Sequence, residues 1–137
     1  MTNRMLDYID YDESYRVGIK EMDLQHERLF SIYNGFVDKY NSSGGLSYAE
    51  LEKVFNEMFW YTKYHFREEE WIMRTYNYPD ARSHVEQHRF IIDKLTNIFV
   101  ESKSEESMVT ALDTFIDIWA THIIDVDRLY VEFIRTY

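Results

Sequence analysis

The chain has 137 residues, no cysteine and a formal net charge of −10. That length suits one domain with a real hydrophobic core, the missing thiols exclude zinc-thiolate, iron–sulfur and cysteine chemistry, and the acidity argues against nucleic acid as a partner. No apolar run reaches membrane-span length and the polar, acidic, Tyr-rich N-terminus is unlike a secretion signal, so a cytoplasmic protein without a membrane association is expected.

Glycine and proline are scarce and aromatics abundant, which favours long uninterrupted helices. Residues 1–18 lack a helical period and are expected to form an extended arm. Tyr8, Ile9, Tyr11, Tyr15 and Val17 would pack it across helix surfaces, and Gly18 permits a bend. The first helix is expected over about 20–40. Met22, His26, Leu29, Tyr33, Phe36, Val37 and Tyr40 follow the three-four spacing of a buried face. Asn41-Ser42-Ser43-Gly44-Gly45 should end it.

Ser47-Tyr48-Ala49-Glu50 reads as a capping box that opens a second helix over about 47–76. Asn77-Tyr78-Pro79 closes that helix, and a third spans about 80–102. After Ser102-Lys103-Ser104 a fourth is expected over about 105–134, with Leu112, Phe115, Ile116, Trp119, His122, Ile123, Val126 and Tyr130 inward. Four helices with short connections predict an all-α, up-down-up-down antiparallel four-helix bundle, one domain over 1–137.

The five histidines of the chain are His26, His65, His84, His88 and His122. Each falls on the inward face of a predicted helix, and every helix supplies at least one. His65 and Glu69 share a face at i, i+4, as do His84 and His88. A lone inward histidine is usually a hydrogen-bonded core residue. Five with none left for the surface point instead to a metal, because unsatisfied buried polar groups cost roughly 1–3 kcal/mol each. Glu68 and Glu70 point about 100° to either side of Glu69 and read as surface charges. On the fourth helix, spacing alone slightly favours Asp125, at i+3 from His122, over Asp127, at i+5.

Val17-Gly18-Ile19, Asp23-Leu24-Gln25-His26, His65-Phe66-Arg67-Glu68-Glu69, Tyr78-Pro79, His84-Val85-Glu86-Gln87-His88 and His122-Ile123-Ile124-Asp125-Val126-Asp127 together resemble the hemerythrin family, and are most similar to its single-domain bacterial members. The family's last motif is a His followed five residues later by an Asp, so the resemblance assigns Asp127 rather than Asp125. It implies two non-haem irons joined by an oxo or hydroxo bridge. His84, His88 and His122 would hold one iron, His26 and His65 the other, with Glu69 and Asp127 bridging both. One iron is then saturated and the other, at His26 and His65, keeps an open position for dioxygen.

The implied activity is reversible dioxygen binding for storage, delivery or buffering, not enzymatic turnover. Carboxylate-rich di-iron bundles draw Glu from every helix; five neutral imidazoles and two shared carboxylates leave one open site and disfavour O–O cleavage. Leu29, Phe66, Trp119, Ile123 and Val126 are nominated as the dry wall of the oxygen pocket, and Gln25 and Tyr130 as groups that orient the imidazole N–H donors. Trp60 and Trp71 on the second helix suit an edge or oligomer contact better than chemistry. Oxygen or redox sensing through a partner, peroxide or nitric oxide turnover, and a zinc or manganese site are the competing readings.

Overall fold

In the computed structural model, which describes residues 5–135, the chain is an all-α four-helix bundle with no strand among the described residues. Residues 1–4, part of the expected arm, lie outside that range. Helix α1 spans Lys20–Ser43, α2 Tyr48–Thr75, α3 Ala81–Glu101 and α4 Glu105–His122. Successive helices pack on one another, and α4 returns to both α1 and α2.

The boundaries follow local chemistry. Ser47 accepts a hydrogen bond from Glu50 N, and the Glu50 carboxylate accepts one from Ser47 N, forming the expected capping box. Helix α1 runs three residues past its expected end. Asn41 is held by the arm, Ser42 Oγ donates to Asp38 O at 2.8 Å, and the left-handed Gly44 (φ 69°) terminates the helix. Asn77 takes the same left-handed role after α2, at φ 53°, and Tyr78 N donates to Met73 O.

The arm is tied down by side chains of α1. Asn41 pairs with both backbone groups of Leu6, and Asn34 with both of Ile9, at 2.8–2.9 Å. These asparagines stand two helical turns apart and satisfy the backbone polar groups of two arm residues. The Tyr8 hydroxyl bonds the Asp38 carboxylate, so Tyr8 stays largely exposed instead of packing. Leu6 and Val17 are the arm's buried anchors. A short 3₁₀ turn at Glu13–Tyr15 interrupts the extended run, capped by Asp12. At Gly18 (φ 103°) the chain bends, and Asp23 accepts hydrogen bonds from Val17 N and Gly18 N.

The expected fourth helix is not uniform. After His122 it widens into a π-helical turn, Ile123–Asp127, and resumes as α5, Arg128–Arg135. Backbone angles at Ile123 and Arg128 remain right-handed helical, so the axis continues through the turn. No helix is long and apolar enough to cross a membrane among the described residues.

Candidate metal centre

Seven side chains from all four helices of the bundle meet in its interior. His26 comes from α1, His65 and Glu69 from α2, His84 and His88 from α3, His122 and Asp127 from α4 and its π turn. His26, His65 and Glu69 have no exposed area, and none of the seven exceeds 7%. Their donor atoms fall into two overlapping groups. One is Glu69, His84, His88, His122 and Asp127; the other is His26, His65, Glu69 and Asp127.

Helical pitch explains the placements. His65 and Glu69 lie one turn apart on α2, and Nε2 stands 3.1 Å from Oε2. His84 and His88 repeat that relation on α3, their rings edge to face at 4.6 Å. His122 and Asp127 are five apart, which on an α-helix is about 140° of rotation. The π turn, with its i to i+5 hydrogen bonding, takes up one residue and leaves Asp127 about where an i+4 residue would stand, about 40° from His122. His122 Nε2 then stands 2.9 Å from Asp127 Oδ1, while Asp125 faces solvent.

A cation fits this donor set. Nε2 of His84, His88 and His122, Glu69 Oε1 and both Asp127 oxygens are buried without a hydrogen bond. Yet His84, His88 and His122 stand 2.9–3.4 Å from these oxygens. Metal–nitrogen bonds of about 2.0–2.1 Å place neighbouring octahedral donors about 3 Å apart. Such spacing without hydrogen-bond geometry means the lone pairs aim at shared points instead of at one another.

Outer partners fix the imidazoles. His65 Nδ1 donates to Gln25 Oε1 at 2.5 Å, and His88 Nδ1 to Glu70 Oε2 at 2.9 Å. With Nδ1 carrying the proton, Nε2 keeps its lone pair for the centre. Gln25 has the role expected of it. Tyr130 does not orient an imidazole; its hydroxyl donates to Glu69 Oε2 at 3.2 Å. Glu70, read from sequence as a surface charge, is only half-exposed because α3 packs over that flank of α2.

Without a cation, protons take its place. Burial opposes charge on His26 and His84, but Asp127 and Glu69 outweigh it and push both imidazoles up to about 9. His88 is raised too, against burial, by Glu69 and Glu70. At His65 burial prevails and its pKa is lowered. Burial would raise Glu69, but His65, His26 and His84 hold it well below the usual carboxylate range. Asp127 is lowered by His122 and His26 despite burial and the repulsion of Glu69. Burial beside Glu69 and Asp127 raises the Tyr130 phenol well above its ordinary value.

Aromatic rings close over the cluster. Phe66 stacks on His88 with centroids 3.7 Å apart and planes within 3°. Trp119 lies 4.9 Å from the His65 ring and 5.9 Å from His26. Leu29 and Ile123 are fully buried in the same core. Val126 is only half-buried. It borders an outer groove between α3 and α4, with Phe90, Ile91 and Ile118, because the π turn that brings Asp127 inward carries its neighbour to the flank. Thr62 has a role the sequence reading did not give it: its hydroxyl accepts the Trp119 indole N–H. A hydroxyl on a buried helical face always needs a partner, and that was the available signal.

The sequence matches the family model of the hemerythrin HHE cation binding domain over residues 17–134. A bacteriohemerythrin of Pseudomonas aeruginosa (strain LESB58) is 26% identical over 129 residues, covering 93% of this chain and 82% of that protein. A bacteriohemerythrin of Clostridium acetobutylicum is 24% identical over 126 residues, covering 89% and 98%. A hemerythrin-like protein of Naegleria gruberi is 30% identical over 87 residues, covering 63% of this chain and 66% of that protein.

Proposed function

The chain belongs to the hemerythrin family, which implies non-haem iron binding, and we propose that it binds dioxygen reversibly at a di-iron centre, for storage, delivery or buffering. The observation that carries this reading is the sharing of Glu69 and Asp127 between a group with three imidazoles and a group with two. His84, His88 and His122 would hold one iron and His26 and His65 the other, with the two carboxylates and a solvent-derived oxo or hydroxo group bridging them. The iron pair supplies the electrons that dioxygen takes up on binding and returns on release. With imidazoles divided three to two, His26 and His65 would hold the iron that has room for dioxygen.

The surrounding residues suit a carrier. Trp119 borders both of those imidazoles and keeps bulk water from them. The two nearby hydroxyls are committed: Thr62 donates to Met58 O, and Tyr130 to Glu69. A site without a spare acid does not readily protonate a bound ligand, and protonation is the route by which dioxygen carriers release peroxide.

The test is anaerobic reduction followed by air exposure, watched by visible absorption, with iron counted per chain. Two irons and a charge-transfer band that appears with air and vanishes on deoxygenation are expected. Immediate oxidation without that band, or steady turnover of peroxide or nitric oxide, would reject the carrier reading.

One observation favours sensing as a second reading. Asp23 binds the arm through Val17 N and Gly18 N, and its backbone carbonyl accepts from the Tyr11 hydroxyl. Gln25, two residues on, holds His65. A change at His65 therefore has a short path to the arm.

A further inference from the structure

The outer face of α2 carries large aromatic residues that remain exposed among the described residues. Trp60, Tyr64 and Trp71 are 64%, 41% and 60% exposed. They lie directly opposite the buried side of the same helix, which carries Met58, Thr62, His65 and Glu69. Soluble monomers rarely present such a row without a use for it.

The row continues at both ends and in the middle with charge. Glu57, Trp60, Tyr64, Arg67, Trp71 and Arg74 are all exposed. Their spacing alternates between three and four residues, which is the seam spacing of two helices packed side by side. Among the described residues, Glu57 and Arg74 form no ion pair within the chain. Lys63 flanks the seam with its ammonium 4.9 Å over the Trp60 ring.

The order of these residues specifies its own complement. A two-fold axis midway between His65 and Phe66 sets α2 antiparallel to α2 of a second copy. Trp60 then meets Trp71 of that copy, Tyr64 meets its Arg67, and Glu57 meets its Arg74. By symmetry each layer occurs twice. All of the layers are favourable: ion pair, aromatic pair and cation–π pair. A parallel arrangement would place Glu57 on Glu57, Arg67 on Arg67 and Arg74 on Arg74, and would repel. We propose that the outer face of α2 is an isologous interface through which the chain forms an antiparallel dimer with a second copy of itself.

Charge complementarity selects this occupant. A nucleic acid or an anionic membrane would leave Glu57 facing phosphate, and would meet a chain of net charge −10. The seam runs about 26 Å at 1.5 Å per residue. One helix pair of that length is at the small end of specific interfaces, so dissociation on the order of micromolar is expected. Repulsion between two acidic chains opposes association, and moderate salt should strengthen the dimer.

Analytical ultracentrifugation of the full chain, from micromolar to submillimolar concentration, tests the proposal. The wild-type chain should dimerise. Glu57→Arg places like charge opposite Arg74, and Arg74→Glu places it opposite Glu57; each should weaken the dimer about tenfold or more. The double variant Glu57→Arg with Arg74→Glu restores opposite charges in the same layers, and should recover nearly wild-type association. Unchanged far-UV circular dichroism confirms that each variant is folded. A wild-type chain that stays monomeric throughout, single variants that dimerise as tightly as wild type, or a double variant no better than the singles would each overturn the interface. Binding of another macromolecule to a monomeric chain would also do so.

Discussion

The indole N–H of Trp119 donates to Thr62 Oγ1 at 2.9 Å, and the same hydroxyl passes its own proton to Met58 O at 2.7 Å. Both partners are buried, and the bond ties α4 to α2 beside His26 and His65. Thr62→Val keeps the shape but strands the indole N–H, at a cost of about 1–3 kcal/mol. Trp119 should loosen, and oxidation of the oxygenated protein should accelerate several-fold. Thr62→Ser restores the acceptor and should return both properties towards wild type. Acrylamide quenching of Trp119 in a Trp60→Phe, Trp71→Phe background reads the ring directly. If Thr62→Val leaves quenching unchanged, the hydroxyl does not position the ring.

Asp127→Ala should lose metal and the oxygenated spectrum, whereas Asp125→Ala should keep both. Asp127 is buried among His26, His84 and His122, and Asp125 faces solvent. Iron counts per chain decide the matter, and the reverse order would exclude Asp127 as the shared carboxylate.

Glu70 accepts the Nδ1 proton of His88 from the edge of the cluster. Such outer partners contribute about 10–100-fold to metal affinity. Glu70→Ala should weaken iron retention by that order in a chelator competition, with little change in helix content. Retention equal to wild type would show that the Phe66 stack alone orients the His88 ring.

The metal-free protein should respond to pH through His26 and His84. Both are pushed up to about 9 in the folded chain, from 6.5 as the ordinary value. The folded state therefore binds more protons than the unfolded state between those values. Their stabilisation is complete below about pH 6.5 and is lost as pH rises through about 9. Calorimetry of metal-free protein should show Tm falling across that window. The same protons must leave before iron binds, so apparent iron affinity should rise as Tm falls. A metal-free Tm that climbs from pH 6.5 to 9 would contradict the assignment.

Much of this arrangement was legible in the sequence because it repeats at helical spacing. The capping box at Ser47 and Glu50 set the start of α2, and the inward histidines marked a common interior. What escaped was whatever depends on two elements at once. Asn34 and Asn41 read as ordinary polar residues until the arm lies across them. Glu70 reads as a surface charge until α3 packs over its flank. The π turn is hidden for a different reason: the 3.6-residue period assumed in reading a helix is the property that changes there. Simple geometry therefore preferred Asp125, and only the family motif pointed to Asp127.

That turn also governs which insertions and deletions the chain tolerates. A π turn is an α-helix holding one additional residue, with the flanking segments kept in register. Removing solvent-facing Asp125 should let the helix close to its ordinary pitch. Tyr130 would keep its side towards Glu69, and the carboxylate now at position 127 would sit four residues after His122, the spacing that His65 and Glu69 already use. A deletion of equal size within the regular part of α4 has no slack to absorb it, and would turn every later side chain by about 100°. Length variation along this helix is thus tolerated best within the π turn, at solvent-facing Asp125.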